Sequence, residues 1–138
     1  MNAFINTPVV ATPDAPVAFQ GLNSVSRGCW QTNGGWLFAT QAAGTFRLSK
    51  PGRYLAIFNA QVTAAAAGPV TLTLIANGVA IPGTAMGETI AAANDVAQIG
   101  TATEITVTPY DTQTITITNT GDADVTINAA SLVLIRIG

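Results

Sequence analysis

The chain has 138 residues, 49% of them hydrophobic, which suits a single domain with a sizeable core. Only five basic and seven acidic side chains, 9% of the chain, face water at a net charge of −2. An average soluble domain carries about 25%, so neutral polar residues cover this surface or part of it is buried against another chain.

No histidine is present and Cys29 is the single cysteine. The usual general base, the commonest metal ligand, an internal disulfide and a cysteine-built zinc site are therefore missing. Few, mostly scattered cations exclude phosphate-backbone binding. The expectation is a protein with no catalytic residues, no cofactor, no metal and no nucleic-acid partner. No run of about 20 apolar residues occurs, so no membrane-spanning helix is expected.

Residues 1–16 (MNAFINTPVVATPDAP) contain Pro8, Pro13 and Pro16 and no sustained alternation. Proline-rich segments favour extended chain. This stretch reads as an extended N-terminal arm before a single domain over 17–138. It lacks the basic stretch and apolar core of a secretory signal. Phe4, Ile5, Val9 and Val10 make it more apolar than a free tail, and they are the candidates for anchoring it on a larger assembly; the alternative is that the segment packs along its own jelly roll as an extra edge.

Residues 17–40 read as irregular β-structure. Trp30 and Trp36 fall there, and Tyr110 in a later loop. Such aromatics pack a segment or, when exposed, stack on a sugar or anchor an interface. All three are candidate ligand contacts, with carbohydrate as the ligand. Arg27, Arg47, Lys50 and Arg53 are the cations nearest one another and suit either a solvated hairpin or an acidic partner.

From residue 54 the apolar period is two. Tyr54, Ala56, Phe58, Ala60 and Val62 alternate with their neighbours, as do Val70, Leu72 and Leu74. Ile105 and Val107, Ile115 and Ile117, and Val125 and Ile127 follow the same rule, with threonines between. Each run reads as a strand with one buried face, and threonine suits the other, pleated face. Turn signals separate them: Pro51-Gly52, Gly68-Pro69, Asn77-Gly78, 109–111 and 119–122. Asn77-Gly78 is a hairpin signal, because both positions of a type I′ turn need φ > 0. Residues 88–96 read as loop plus strand, and 64–67 as loop. Strands at this spacing without a helix point to a sandwich or barrel.

The carboxylates form no recognisable site. Glu88, Asp95, Glu104 and Asp111 sit on separate elements, which leaves no glycosidase pair. NTGDADV, holding Asn119, Asp122 and Asp124, lacks the later glutamate and fixed glycine of a calcium loop and reads as a hairpin turn. Without histidine or a Ser-x-x-Lys pattern, no nucleophile is activated.

Residues 131–137 (SLVLIRI) break the alternation. A strand apolar on both faces is buried on both, and a small sandwich covers only one. Leu132, Val133, Leu134, Ile135 and Ile137 are therefore candidates for a chain–chain interface, with the parity open; the alternative is a strand covered by a loop of its own chain.

Three segments carry a family resemblance. GTFRLSKPGRYLAIFNAQV resembles the Gly-x-Tyr strand and preceding hairpin of the tumour-necrosis-factor and complement-head jelly rolls. LTLIANGVAIPGTA resembles the next hairpin there. INAASLVLIRIG is similar to the last strand in the globular domain of bacterial spore-surface collagen-like glycoproteins, and the pattern also resembles domains of tailed-phage head fibres and capsid decoration proteins. The resemblance covers residues 44–138. It implies an all-β, ten-stranded jelly-roll sandwich forming a homotrimer, and the two-faced last strand is then the candidate for the trimer interface. The spore proteins carry Gly-X-Y repeats before this domain. This chain has none and reads as complete without a stalk.

The function these readings imply is a non-enzymatic structural protein, a trimeric decoration or head-fibre protein on a tailed-phage capsid. Its partners would be itself and the major capsid protein or another virion protein. Its place would be the capsid surface, after assembly in the host cytoplasm. The alternatives are a carbohydrate- or receptor-binding surface module and a spore or cell-surface structural protein.

Overall fold

The computed structural model describes residues 2–24, 29–31 and 44–138, side chains at 22–24 and 29–31 excepted. Trp36 and Arg27 lie outside the described residues, and Cys29 and Trp30 are described by backbone alone. The strands are β1 (Asn2–Ile5), β2 (Val9–Ala11), β3 (Gly21–Ser24), β4 (Cys29–Gln31), β5 (Phe46–Leu48) and β6 (Gly52–Thr63). They continue as β7 (Gly68–Ala76), β8 (Val79–Ala80), β9 (Met86–Ile90), β10 (Ala97–Val107), β11 (Gln113–Asn119) and β12 (Val125–Arg136).

Ten of these strands form two antiparallel paths, β10-β6-β12-β1-β3 and β4-β5-β11-β7-β8, and β2 and β9 join off the path on β12 and β7. The all-β sandwich expected from the period of two is therefore present. The runs alternate because one face of each sheet meets the other sheet. Tyr54, Ala56, Phe58 and Val62 of β6 are fully buried, as are Leu72 and Leu74 of β7 and Ile115 and Ile117 of β11. Phe19 sits at their centre, edge-on to Phe46 at 5.2 Å and to Phe58 at 6.2 Å between ring centroids.

Turns follow the sequence signals. Asn77 and Gly78 take φ of 50° and 81° and close the β7–β8 hairpin, in which Ala76 pairs with Val79. Gly52 has φ of 144°, and a Cβ there would lie 2.6 Å from Arg136 Nε and from Gly138 O. Only glycine lets β6 begin beneath the end of β12. Residues 88–96 are the end of β9 followed by a loop.

Residues 2–16 do not form a free arm and follow the alternative reading, packing along their own jelly roll. Their two strands lie inside the sandwich: β1 pairs with β12 from Asn2↔Val133 to Ile5↔Ala130, and β2 from Val9↔Ile127 to Ala11↔Val125. Ala3, Ile5 and Ala11 are buried. Pro16 bridges Thr118, and Val17 N–H donates to Ile117 O. β6 covers one edge of β12, and the other edge needs partners for its backbone groups. Pro8 and Pro13 fall between strands, so they interrupt the pairing without preventing it. The boundary at 16/17 is not a break between arm and domain.

The turns gather at two ends. Residues 49–52, 77–78, 108–112 and 136–138 share one end: the Asn77 amide donates to Thr112 O, and Arg136 donates to Pro51 O. Residues 12–15, 64–67, 91–96 and 120–124 share the other, where Asp14 N–H donates to Asn119 O and Asn94 N–H donates to Ala64 O.

Candidate functional site

The open face of the β10-β6-β12-β1-β3 sheet is the largest surface that the sequence singled out. The parity of β12 decides what lies on it. Leu132 and Leu134 are fully buried in their own sandwich, which removes them as interface residues. Val133 is half-buried, and Ile135 and Ile137 are each 46% exposed on the opposite side.

Registers place these side chains in rows across the sheet. Leu55 pairs with Ile135 on one side and Glu104 on the other. Ile57 pairs with Val133 and Ala102. Leu55, Ile57, Val133, Ile135 and Ala102 thus form an apolar patch with none of their own chain's second sheet over it. The Arg53–Glu104 ion pair rims it at 3.3 Å, with 57% and 46% of the two side chains exposed. A pair so open to solvent adds little to stability.

Further along the same face the chemistry changes. Asn59 pairs with Ser131 and Gly100, and Gln61 with Gln98 and Ala129. All of these except Gly100, together with Ala60 and Ala130, line a shallow depression of about 350 Å³. It lies where the register of β12 shifts between Ile127 and Ala129. A polar and an apolar half therefore share one face.

The proposed anchoring residues do not act as a set. Ile5 is buried, Phe4 and Val9 are half-buried, and Val10 alone is 60% exposed. The Phe4 ring lies against Gly21, where an added Cβ would meet it at 2.9 Å. The Trp30 backbone pairs with Arg47 in the β4–β5 ladder.

Tyr110 is separate from the sheet face. Thr108–Asp111 is a tight turn, with Asp111 N–H donating to Thr108 O at 3.2 Å. Pro109 precedes Tyr110, whose φ is 66° and whose side chain is fully exposed. The third position of a type II turn calls for glycine or asparagine. The polar side chains against this turn are engaged. Asn77 bridges Thr112 O and Thr114 N–H, and the Asp111 carboxylate accepts from Thr112 N–H and Gln113 Nε2. An exposed ring is on offer to a contact here, beside a turn that Asn77 and Asp111 hold in shape.

Asn119 is legible in the sequence as part of a turn signal and of a weak calcium-loop candidate. The structure gives its amide to the turn: Nδ2 donates to Ala11 O and Ala123 O, each at 2.8 Å, and Oδ1 accepts from Gly121 N–H at 3.0 Å. Among the described residues no three of His, Cys, Asp and Glu come together as metal ligands. Among them no helix is long and apolar enough to cross a membrane.

No family model matches the chain, and no curated protein matches it. Solved structures do. The globular domain of zebrafish complement 1qA protein superposes with a TM-score of 0.62 at 15% identity, over 99% of this chain and 97% of that one. Eiger TNF from S. frugiperda gives 0.64 at 12% identity, over 100% and 92% of the two chains. Murine APRIL gives 0.59 at 12% identity, over 99% and 100%. Across its whole length the chain has the jelly-roll fold of tumour-necrosis-factor and complement-head domains.

Proposed function

We propose that the chain is a non-enzymatic structural module that works as a homotrimer on the surface of a larger assembly. The observation that carries this reading is the apolar patch of Leu55, Ile57, Ala102, Val133 and Ile135 on the open sheet face. Soluble monomers seldom leave such a contiguous patch uncovered, and a charge content of 9% leaves few groups to keep it wet. Burial stabilises by roughly 25 cal/mol per Å² of apolar surface removed from water, so three such faces meeting one another would hold firmly.

The resemblance of residues 44–138 to spore-surface globular domains and to related phage head-fibre and decoration domains supports a finer reading. In it the trimer decorates a tailed-phage capsid or forms its head fibre, contacts the major capsid protein or another virion protein, and reaches the capsid surface after assembly in the host cytoplasm. Residues 2–5 and 9–11 pair with β12, and Ala3, Ile5 and Ala11 are buried, so this reading gives attachment to exposed surfaces rather than to a free arm.

Light scattering tests the trimer. The expected mass is three times the 14.1 kDa of one chain, and Val133→Asp, which would bury an unpaired charge at the contact, is expected to give a folded monomer. A 14.1 kDa species for the unaltered protein at micromolar concentration would overturn the reading. Co-sedimentation with purified capsids tests the finer one, and protein left in the supernatant removes the virion role.

A further inference from the structure

Charge is sorted along the sandwich. Among the described residues all four cations lie in one half. Arg47 pairs with Thr114, Lys50 sits in the turn before β6, Arg53 pairs with Thr106, and Arg136 closes β12. Only Glu104 and Asp111 share that half. Glu104 is already paired to Arg53, and Asp111 to backbone and Gln113. The other half holds Asp14, Glu88, Asp95, Asp122 and Asp124 and, among the described residues, no cation.

Exposed apolar side chains mark both ends. The cationic end presents Tyr110 at 107% exposure and Val79 at 69%, and the acidic end presents Val10 at 60% and Val96 at 58%. Tyr110 is the residue whose presence folding does not explain. It holds a left-handed backbone that glycine would hold at no steric cost, and its ring contributes nothing to the core. A strained, fully exposed aromatic is a reason to look for a contact, and tyrosine and arginine are enriched among the residues that dominate interfaces.

We propose that copies associate head to tail, the cationic end of one, anchored by Tyr110, against the acidic end of the next. The occupant is a second copy because this chain itself supplies the complementary charge. The contact joins unlike surfaces at opposite ends of the sandwich, so it propagates as a stack instead of stopping at a two-fold pair. It goes beyond the trimer: the open sheet face runs between the two ends, and both contacts can form together. A sugar stacked on Tyr110 is the competing occupant.

Sedimentation velocity on the full chain, from about 10 mM to about 1 M NaCl, tests this, since the Debye length falls from about 30 to about 3 Å over that range. Species larger than the salt-resistant unit are expected at low salt and should dissolve at high salt. The double variants Arg47→Glu/Lys50→Glu and Asp122→Lys/Asp124→Lys should each fail to stack alone, and mixed in equal amounts they should stack with each other. Tyr110→Gly should weaken stacking by about tenfold or more while raising the unfolding midpoint, which a merely structural tyrosine would not do.

Salt-independent mass, a mixture that fails to restore association, or full stacking by Tyr110→Gly overturns the proposal. Loss of glycan-array binding in Tyr110→Gly without any self-association assigns the residue to sugar and overturns it as well. Val133→Asp separates this idea from the trimer. The size at high salt reports the trimer, and growth at low salt reports the stack.

Discussion

Asn119 shows how one buried polar side chain can hold a junction of the fold. It is fully buried, and its amide closes the turn at 120–124 and clamps the end of β2 at Ala11. Replacing it with alanine leaves Gly121 N–H and two carbonyls without this partner. Each unsatisfied buried group costs about 1–3 kcal/mol, so Asn119→Ala is expected to lower stability by about 3 kcal/mol in urea unfolding. Tyr110 runs the opposite way. Relief of a left-handed backbone is worth about 1 kcal/mol, so Tyr110→Gly should raise the urea midpoint by a corresponding amount. In the sequence both residues sit in ordinary turn signals. Nothing local reveals that Asn119 reaches across 108 residues to Ala11, or that Tyr110 takes a glycine's conformation.

β12 shows at the scale of an element what alternation can and cannot give. Its apolar run is visible over residues 131–137, but the parity is not, since both sets are aliphatic. The shift of register between Ile127 and Ala129 also breaks any attempt to count inward positions from Val125. The structure assigns Leu132 and Leu134 to the core and Val133 and Ile135 to the open face. Leu134→Ala is therefore expected to cost about 3 kcal/mol of fold stability, as core truncations of leucine do. Val133→Asp should leave the circular dichroism of a folded monomer and change the mass instead. β10 was only half legible. Ile105 and Val107 alternate clearly, but residues 97–103 place Gly100 and Ala102 outward and two threonines among their inward positions. Hydrophobicity does not mark that stretch; eleven paired positions along β6 do. β1, β2 and β4, at three or four residues each, are too short to show a period at all.

The molecule as a whole joins its first strands to its last. This could not be read locally, because the pairing of residues 2–5 with 130–133 depends on which edge of β12 is left open by β6. A chain beginning at Val17 tests how much that pairing matters. It loses four ladder positions from β1 and three from β2, together with the buried side chains of Ala3, Ile5 and Ala11. Burying an isoleucine is worth roughly 1.5–3 kcal/mol, and each ladder hydrogen bond about 0.5–1.5 kcal/mol net. Their sum is comparable with the ~5–15 kcal/mol that separates folded from unfolded domains. The exposed edge of β12 would also become a template for strand addition. The truncated chain is therefore expected to lose cooperative thermal unfolding and to aggregate. Ile5→Ser, which keeps the ladder and removes one core side chain, should stay folded with a lower melting temperature. If the truncated chain instead melts cooperatively near the full-length temperature, β1 and β2 are dispensable additions to the remaining strands. The ordering of residues 2–16 would then serve something other than stability. Limited proteolysis of both proteins provides a second measurement: β12 should be protected in Ile5→Ser and rapidly cleaved in the truncated chain.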